Sequence, residues 1–126
     1  MIQKKAHIVL LGFFGAMFFL VGCSALQIIK PRLSGPTQTA EGVTFQYFAP
    51  SAQQVNVAGD FNSWASGNHE NAVNLQKTDE GVWSAVVKLE PGRYKYKFVI
   101  DGQKWEKDPN GENANDPDDN SLVIVE

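Results

Sequence analysis

The feature that most constrains the fold of this chain is an alternation of apolar and polar residues that recurs after residue 40. Val43, Phe45 and Tyr47 alternate with Thr44 and Gln46, and Val55 and Val57 flank Asn56. Trp83, Ala85 and Val87 alternate with Ser84 and Val86, and Tyr94, Tyr96, Phe98 and Ile100 with Lys95, Lys97 and Val99. A period of two gives each strand one buried face, and no helical period competes with it. The runs are cut by Ala49-Pro50-Ser51, Gly59-Asp60, Asp79-Glu80-Gly81, Glu90-Pro91-Gly92 and Asp101-Gly102, all turn chemistry. Short strands joined this way predict an all-β antiparallel sandwich. Its core is expected to include Phe45, Val57, Trp83, Val87, Tyr96 and Phe98.

The N-terminus obeys another rule. Lys4 and Lys5 precede an apolar run from Ile8 to Val21, followed by Gly22 and Cys23, the order of a secretory signal peptide. The run is about 14 residues, short of the ~20 that span a bilayer as a helix. A retained anchor helix is the alternative. Leu20-Val21-Gly22-Cys23 resembles the lipobox of bacterial lipoproteins, which implies that Cys23 is lipidated and becomes the new N-terminus. A single cysteine in an exported chain calls for such an explanation and leaves no disulfide to staple the domain. Acyl chains contribute about 0.8 kcal/mol per buried CH₂, which anchors a protein when there is more than one. Under the sorting rule of the bacteria whose leaders this one resembles, Ser24 after the cysteine implies an outer-membrane address in the cell envelope. The organisation expected is a signal peptide over 1–22, a lipidated cysteine and flexible linker over 23–40, rich in Pro, Ser and Gly, and one domain over 41–126.

Charge narrows the partners. The formal net charge is −3, and cleavage after residue 22 removes two lysines and no acid. A surface this acidic repels nucleic acid, and the lysines at 95, 97, 104 and 107 are offset by Glu106, Asp108 and the acids after them. No nucleic-acid partner is expected.

Several motifs now come together in order: "VNVAGDFNSW", "GVWSAVVKLEPGRYKYKFVIDGQKW", "DP" and "NSLVIV". From about Val43 to Glu126 the chain resembles the glycogen-binding domain of the AMP-activated protein kinase beta subunit and carbohydrate-binding module family 48. The resemblance implies an immunoglobulin-like, early-set sandwich that binds α-glucans such as glycogen, starch or maltooligosaccharides without catalysis or cofactor. It also implies that Trp64 and Trp105 pack against sugar rings while Lys97 and Asn120 bond hydroxyls. The chemistry agrees, since a pyranose offers C–H faces and a rim of hydroxyls and asks for flat apolar platforms beside a few fixed polar groups.

Residue by residue, other readings stand beside this one. Trp64 also fits a plug at the corner, and Lys97 an ordinary solvated strand lysine. The family's usual "DGQW" is "DGQKW" here, and the added Lys104 turns Trp105 to the other face unless the turn absorbs it. The acidic stretch "KDPNGENANDPDDN" is expected beside the sugar site. Its alternatives are a solvated loop or a calcium site, although it lacks the spacing and glycine of an EF-hand loop; no metal is expected. A glycosidase needs two carboxyl groups about 5 to 9.5 Å apart across a cleft, and a small sandwich offers a shallow face. The one histidine after residue 22, His69, lies in a polar loop. The competing function is an envelope lipoprotein that uses the same sandwich to bind another protein.

Overall fold

The computed structural model describes residues 30–126; the signal segment and Cys23 lie outside the described residues. Among the described residues the strands are β1 (Thr37–Thr39), β2 (Gly42–Phe48), β3 (Val55–Gly59), β4 (Val73–Asn74), β5 (Gln76–Lys77), β6 (Val82–Val87), β7 (Gly92–Ile100), β8 (Lys104–Glu106), β9 (Glu112–Asn113) and β10 (Ser121–Val125). One sheet runs β1-β2-β6-β5 and the other β4-β3-β7-β10-β9, with β8 paired to the far end of β7. All these pairings are antiparallel. Helical geometry among the described residues is confined to 3-10 turns at Asp60–Asn62 and Asp79–Gly81. The architecture is the all-β, immunoglobulin-like antiparallel sandwich that the alternation predicts.

The alternating apolar faces meet between the sheets. Val43 and Phe45 from β2 pack with Val55, Val57, Tyr96, Phe98, Val123 and Val125 from the opposing sheet. Phe45 meets Tyr96 edge-on at 5.1 Å between centroids, and Tyr47 meets Phe98 at 4.8 Å. Trp83 is buried, and its indole N–H donates to the Ala49 carbonyl at 2.8 Å. Of the expected core residues, Val87 alone is only half-buried, packed at the margin.

The core includes one polar knot. The Tyr96 hydroxyl donates to Asp108 Oδ2 at 2.6 Å, and the Asn110 N–H donates to Oδ1 at 2.9 Å. The Asp108 N–H in turn donates to Ser121 Oγ at 2.8 Å. Burial pushes the Asp108 carboxyl above its ordinary range, and burial with Asp108 alongside raises the Tyr96 phenol. These bonds satisfy groups that would otherwise be costly to bury, and they fix the start of the acidic loop against the sheet.

Thr37–Thr39, expected in the linker, instead forms an edge strand on β2. Its neighbour in space is the end of β10 beyond the pairing with β9: Gln38 Nε2 donates to the Ile124 carbonyl at 3.0 Å, and the Glu126 N–H donates to Gln38 Oε1 at 3.3 Å. The strand escapes a pattern reading because all three residues are polar and exposed. It is held by backbone pairing and one amide, with no apolar face to reveal it.

The longest strand, β7, is the hub of its sheet. It pairs with β3 on one side and with β10 and then β8 on the other. Tyr94, Tyr96 and Phe98 face the core, so Lys95, Lys97 and Val99 face outward.

Candidate functional site

On that outward side lies an open hollow of about 420 Å³, bordered by Trp64, Lys95, Lys97, Trp105 and Asn120 together with Asp60, Asp116 and Asp118. The structure thus brings together all four of the residues singled out in the domain, Trp64, Lys97, Trp105 and Asn120. Two other hollows, one near Gly42 and Lys88 and one near Gly35 and Gly111, have no aromatic lining.

Trp64 is delivered by a tightly determined corner. Asn62 Oδ1 accepts the Gly59 N–H at 2.9 Å, while its amide nitrogen faces the carbonyls of Val57, Ala65 and Asn71 at 3.2 to 3.4 Å. Ser63 and Trp64 both adopt the left-handed region, at φ 54° and 58°, a conformation that non-glycine residues hold only where the surroundings enforce it. The Trp64 N–H donates to the Gly59 carbonyl at 3.0 Å. Its indole N–H donates to Asp60 Oδ1 at 3.2 Å, and Asp60 Oδ2 accepts the Lys95 N–H at 2.8 Å. One carboxylate therefore ties the ring to the backbone of β7. The corner is plugged by Phe61, which packs on the core cluster, whereas Trp64 does not belong to that cluster.

Trp105 arrives from the other side on β8. Ile100 pairs with Lys104 and Val99 with Trp105, so three residues, Asp101 to Gln103, make the turn. Asp101 and Gly102 take φ 51° and 69°, and the Gln103 N–H donates to the Ile100 carbonyl at 3.1 Å. The added residue is absorbed there, and Trp105 shares the outward face of Val99 and Lys97. Lys104 and Glu106 point the other way and pair with each other at 3.0 Å. Trp105 is 44% exposed.

The polar groups are closely engaged. Lys97 Nζ donates to the Asp118 carbonyl at 2.6 Å, and Lys95 Nζ pairs with Asp116 Oδ2 at 3.0 Å. Asp116 also accepts the Asn120 N–H at 3.0 Å and its side-chain amide at 2.9 Å. These donors, the Asn120 backbone first and then Lys95, hold the Asp116 carboxyl well below the usual carboxylate range. Asn120 is 6% exposed, so its amide staples the loop as well as bordering the hollow. The acidic loop lies beside the hollow, as expected, with Lys107 bound to Asp119 at 3.0 Å.

Asp60, Asp116 and Asp118 were not singled out by sequence reasoning. For Asp60 the signal was present: an Asp four residues before a Trp within a turn is placed to accept an indole N–H. For the other two there was none, because their lysine partners lie about 21 residues away in sequence and meet them only across strands.

Comparison with known proteins gives the family. A family model described as carbohydrate-binding module 48 (isoamylase N-terminal domain) matches residues 34–115. The match contains β1, Trp64, Lys97 and Trp105 and stops before Asn120. The chain is 39% identical over 90 residues to a 1,4-alpha-glucan branching enzyme of Marinobacter nauticus, covering 68% of this chain and 14% of the enzyme. It is 42% identical over 80 residues to the branching enzyme of Deinococcus radiodurans, covering 60% of this chain and 11% of the enzyme. To protein PTST homolog 2, chloroplastic, of Arabidopsis thaliana it is 39% identical over 59 residues, covering 47% of this chain and 10% of that protein. The chain thus spans a small fraction of the length of each of these relatives. By the family match over most of its described residues, the chain belongs to the carbohydrate-binding module 48 family.

Proposed function

We propose that this chain is a non-catalytic α-glucan-binding module held on the bacterial envelope by a lipidated Cys23, on the outer membrane by the Ser24 rule. The observation that carries the sugar reading is the meeting of two indoles and a lysine on one open, outward hollow. Flat rings beside fixed donors suit the C–H faces and hydroxyls of a glucan. The names of the branching-enzyme relatives, which act on 1,4-alpha-glucan, support that class of sugar.

The carboxyl groups argue for binding over hydrolysis. A glycosidase acid needs a raised pKa beside the scissile bond. Asp116 in the hollow is shifted the opposite way, and Asp60 is committed to Trp64 and the Lys95 backbone. Asp108, which is raised, is 3% exposed beneath Tyr96.

Stacking that removes about 80 Å² of apolar surface contributes about 2 kcal/mol per ring. Two rings and a few hydrogen bonds, less the cost of association, give millimolar to micromolar affinity on the scale of about 1.4 kcal/mol per tenfold. Titration of the full chain with maltoheptaose is the test. Trp64→Ala is expected to weaken binding by roughly 10-fold to 70-fold with the fold intact. Absence of binding in the unsubstituted chain, with no retention on amylose, would favour the protein-interaction reading. For the anchor, Cys23→Ala is expected to leave the leader uncleaved or release the protein from membranes; unchanged fractionation together with a retained leader in the unsubstituted chain would exclude lipidation.

A further inference from the structure

The lysines of the hollow are already spoken for. Lys95 holds the Asp116 carboxylate at 3.0 Å and Lys97 the Asp118 carbonyl at 2.6 Å. The hollow is bordered by three aspartates, Asp60, Asp116 and Asp118, and two lysines, which leaves an excess of negative charge. Beyond its rim the neighbouring lysines are paired as well, Lys107 with Asp119 and Lys104 with Glu106, each at 3.0 Å. An anionic ligand therefore meets a surface whose cations are bonded to the protein's own oxygens.

We infer that Asp116 and Asp118 are specificity-determining residues: Asp116 by pairing with Lys95, and Asp118 by the negative charge its carboxylate adds at the same hollow, make the site selective for neutral glucans and exclude phosphorylated or carboxylated ones. This rests on the α-glucan reading above. Two features support it independently of charge counting. The donors on Asp116, Lys95 Nζ with the backbone and side-chain N–H groups of Asn120, come from β7 and from the residue before β10, so displacing Lys95 toward a phosphate breaks a three-donor site. The Lys97 contact is to a backbone carbonyl whose loop is fixed by that same site. A neutral sugar hydroxyl, able both to donate and to accept, joins such a network without separating any ion pair.

The test compares maltoheptaose with maltoheptaose bearing a single phosphomonoester, titrated into the full chain at low and high salt. A phosphomonoester carries about −1.5 to −2 charges at neutral pH. The expected result is roughly 10-fold weaker binding of the phosphorylated sugar at about 20 mM salt, narrowing as salt screens the repulsion. Asp118→Asn keeps the carbonyl that binds Lys97 and removes one charge, so it should narrow the difference by about 3-fold. Glu41→Gln changes the net charge equally but lies at another hollow, and it should leave the ratio unmoved. Equal or tighter binding of the phosphorylated sugar at low salt, or an equal response to the two substitutions, overturns the inference alone. Binding of neither sugar overturns the α-glucan reading and the inference with it.

Discussion

Trp64 and Trp105 border the same hollow, yet the chain holds them by opposite means. Trp64 sits on a corner fixed by its own left-handed backbone, by the amide of Asn62 and by a carboxylate shared with β7. Trp105 projects from a three-residue strand whose attachment is its ladder with β7, and the residue is 44% exposed. One ring is fixed by several contacts of its own, and the other has its strand ladder as its attachment. On the α-glucan reading proposed above, a fixed ring suits setting the register of a flexible chain, and a less restrained ring suits closing on the next residue.

The largest test of this contrast concerns two glycines. At Gly59 a Cβ would lie 2.5 Å from the Lys95 carbonyl oxygen, 2.7 Å from Phe61 and 2.9 Å from the Tyr96 Cβ. Gly102, in the turn that delivers Trp105, faces open space at φ +69°. Gly59→Ala is expected to cost about 3 kcal/mol, as overpacking against backbone does. Gly102→Ala should cost about 1 kcal/mol, from the left-handed conformation alone. Urea unfolding monitored by circular dichroism gives both values. Equal losses would mean that the two sides are equally rigid.

The same contrast predicts unequal losses of sugar binding. Where Trp64→Ala removes a ring already in place, Trp105→Ala removes one that must lose rotamer freedom worth about 0.5 to 1.5 kcal/mol on binding. The loss for Trp105→Ala is therefore expected to be smaller, roughly 3-fold to 10-fold. A larger loss there would reverse the assignment of fixed and mobile platforms.

Each feature was legible in the sequence to the extent that it depends on near neighbours. The core alternation of β7 depends on residues two apart, so Tyr96, Phe98 and the outward lysines are readable directly. Trp83 was readable as core for the same reason. The face of Trp105 was not, because it depends on how many residues the turn absorbs, and one residue reverses it. β1 was hidden by its polar composition. The Lys95–Asp116 and Lys97–Asp118 contacts were hidden because pairing between β7 and β10 brings them together, and no local spacing encodes that. The family resemblance pointed to Trp64, Lys97 and Asn120 but said nothing of the Asp60 and Asp116 carboxylates that hold Trp64 and Asn120, nor of the Asp118 carbonyl that holds Lys97.

Those carboxylates allow the contrast to be sharpened. Asp60→Ala is expected to unfasten the Trp64 ring without removing it, lowering maltoheptaose affinity by about 3-fold and stability by about 1 kcal/mol. The Trp64 indole should then show faster depolarisation of its fluorescence when Trp83 and Trp105 are replaced by Phe. Unchanged ring mobility would mean that the corner backbone alone fixes the platform and that the carboxylate serves β7.

The smallest expected effect is with pH, and it divides two carboxylates, Asp116 at the hollow and Asp108 buried beneath Tyr96. Asp116 is depressed, chiefly by the Asn120 N–H and Lys95. The stability it adds is present above its unfolded value near ~3.9 and is lost only as pH falls through its lower folded value. The contact between Lys95 and Asp116 is thus expected to persist at pH 5. Asp108 is raised by burial, so between its unfolded and folded values the native state binds more protons, and stability falls as pH rises through that window. Taking the chain from pH 7 to 5 should therefore leave maltoheptaose affinity within about 2-fold, the span set by an intact ion pair with weak screening changes. Lowering the pH through the Asp108 window, toward the ordinary carboxylate value, should raise the melting temperature of the unsubstituted chain relative to Asp108→Asn. A marked loss of affinity by pH 5 would mean that the acidic loop bordering the hollow opens with mild acid, and the two rings would then differ less in their anchoring than their hydrogen bonds imply.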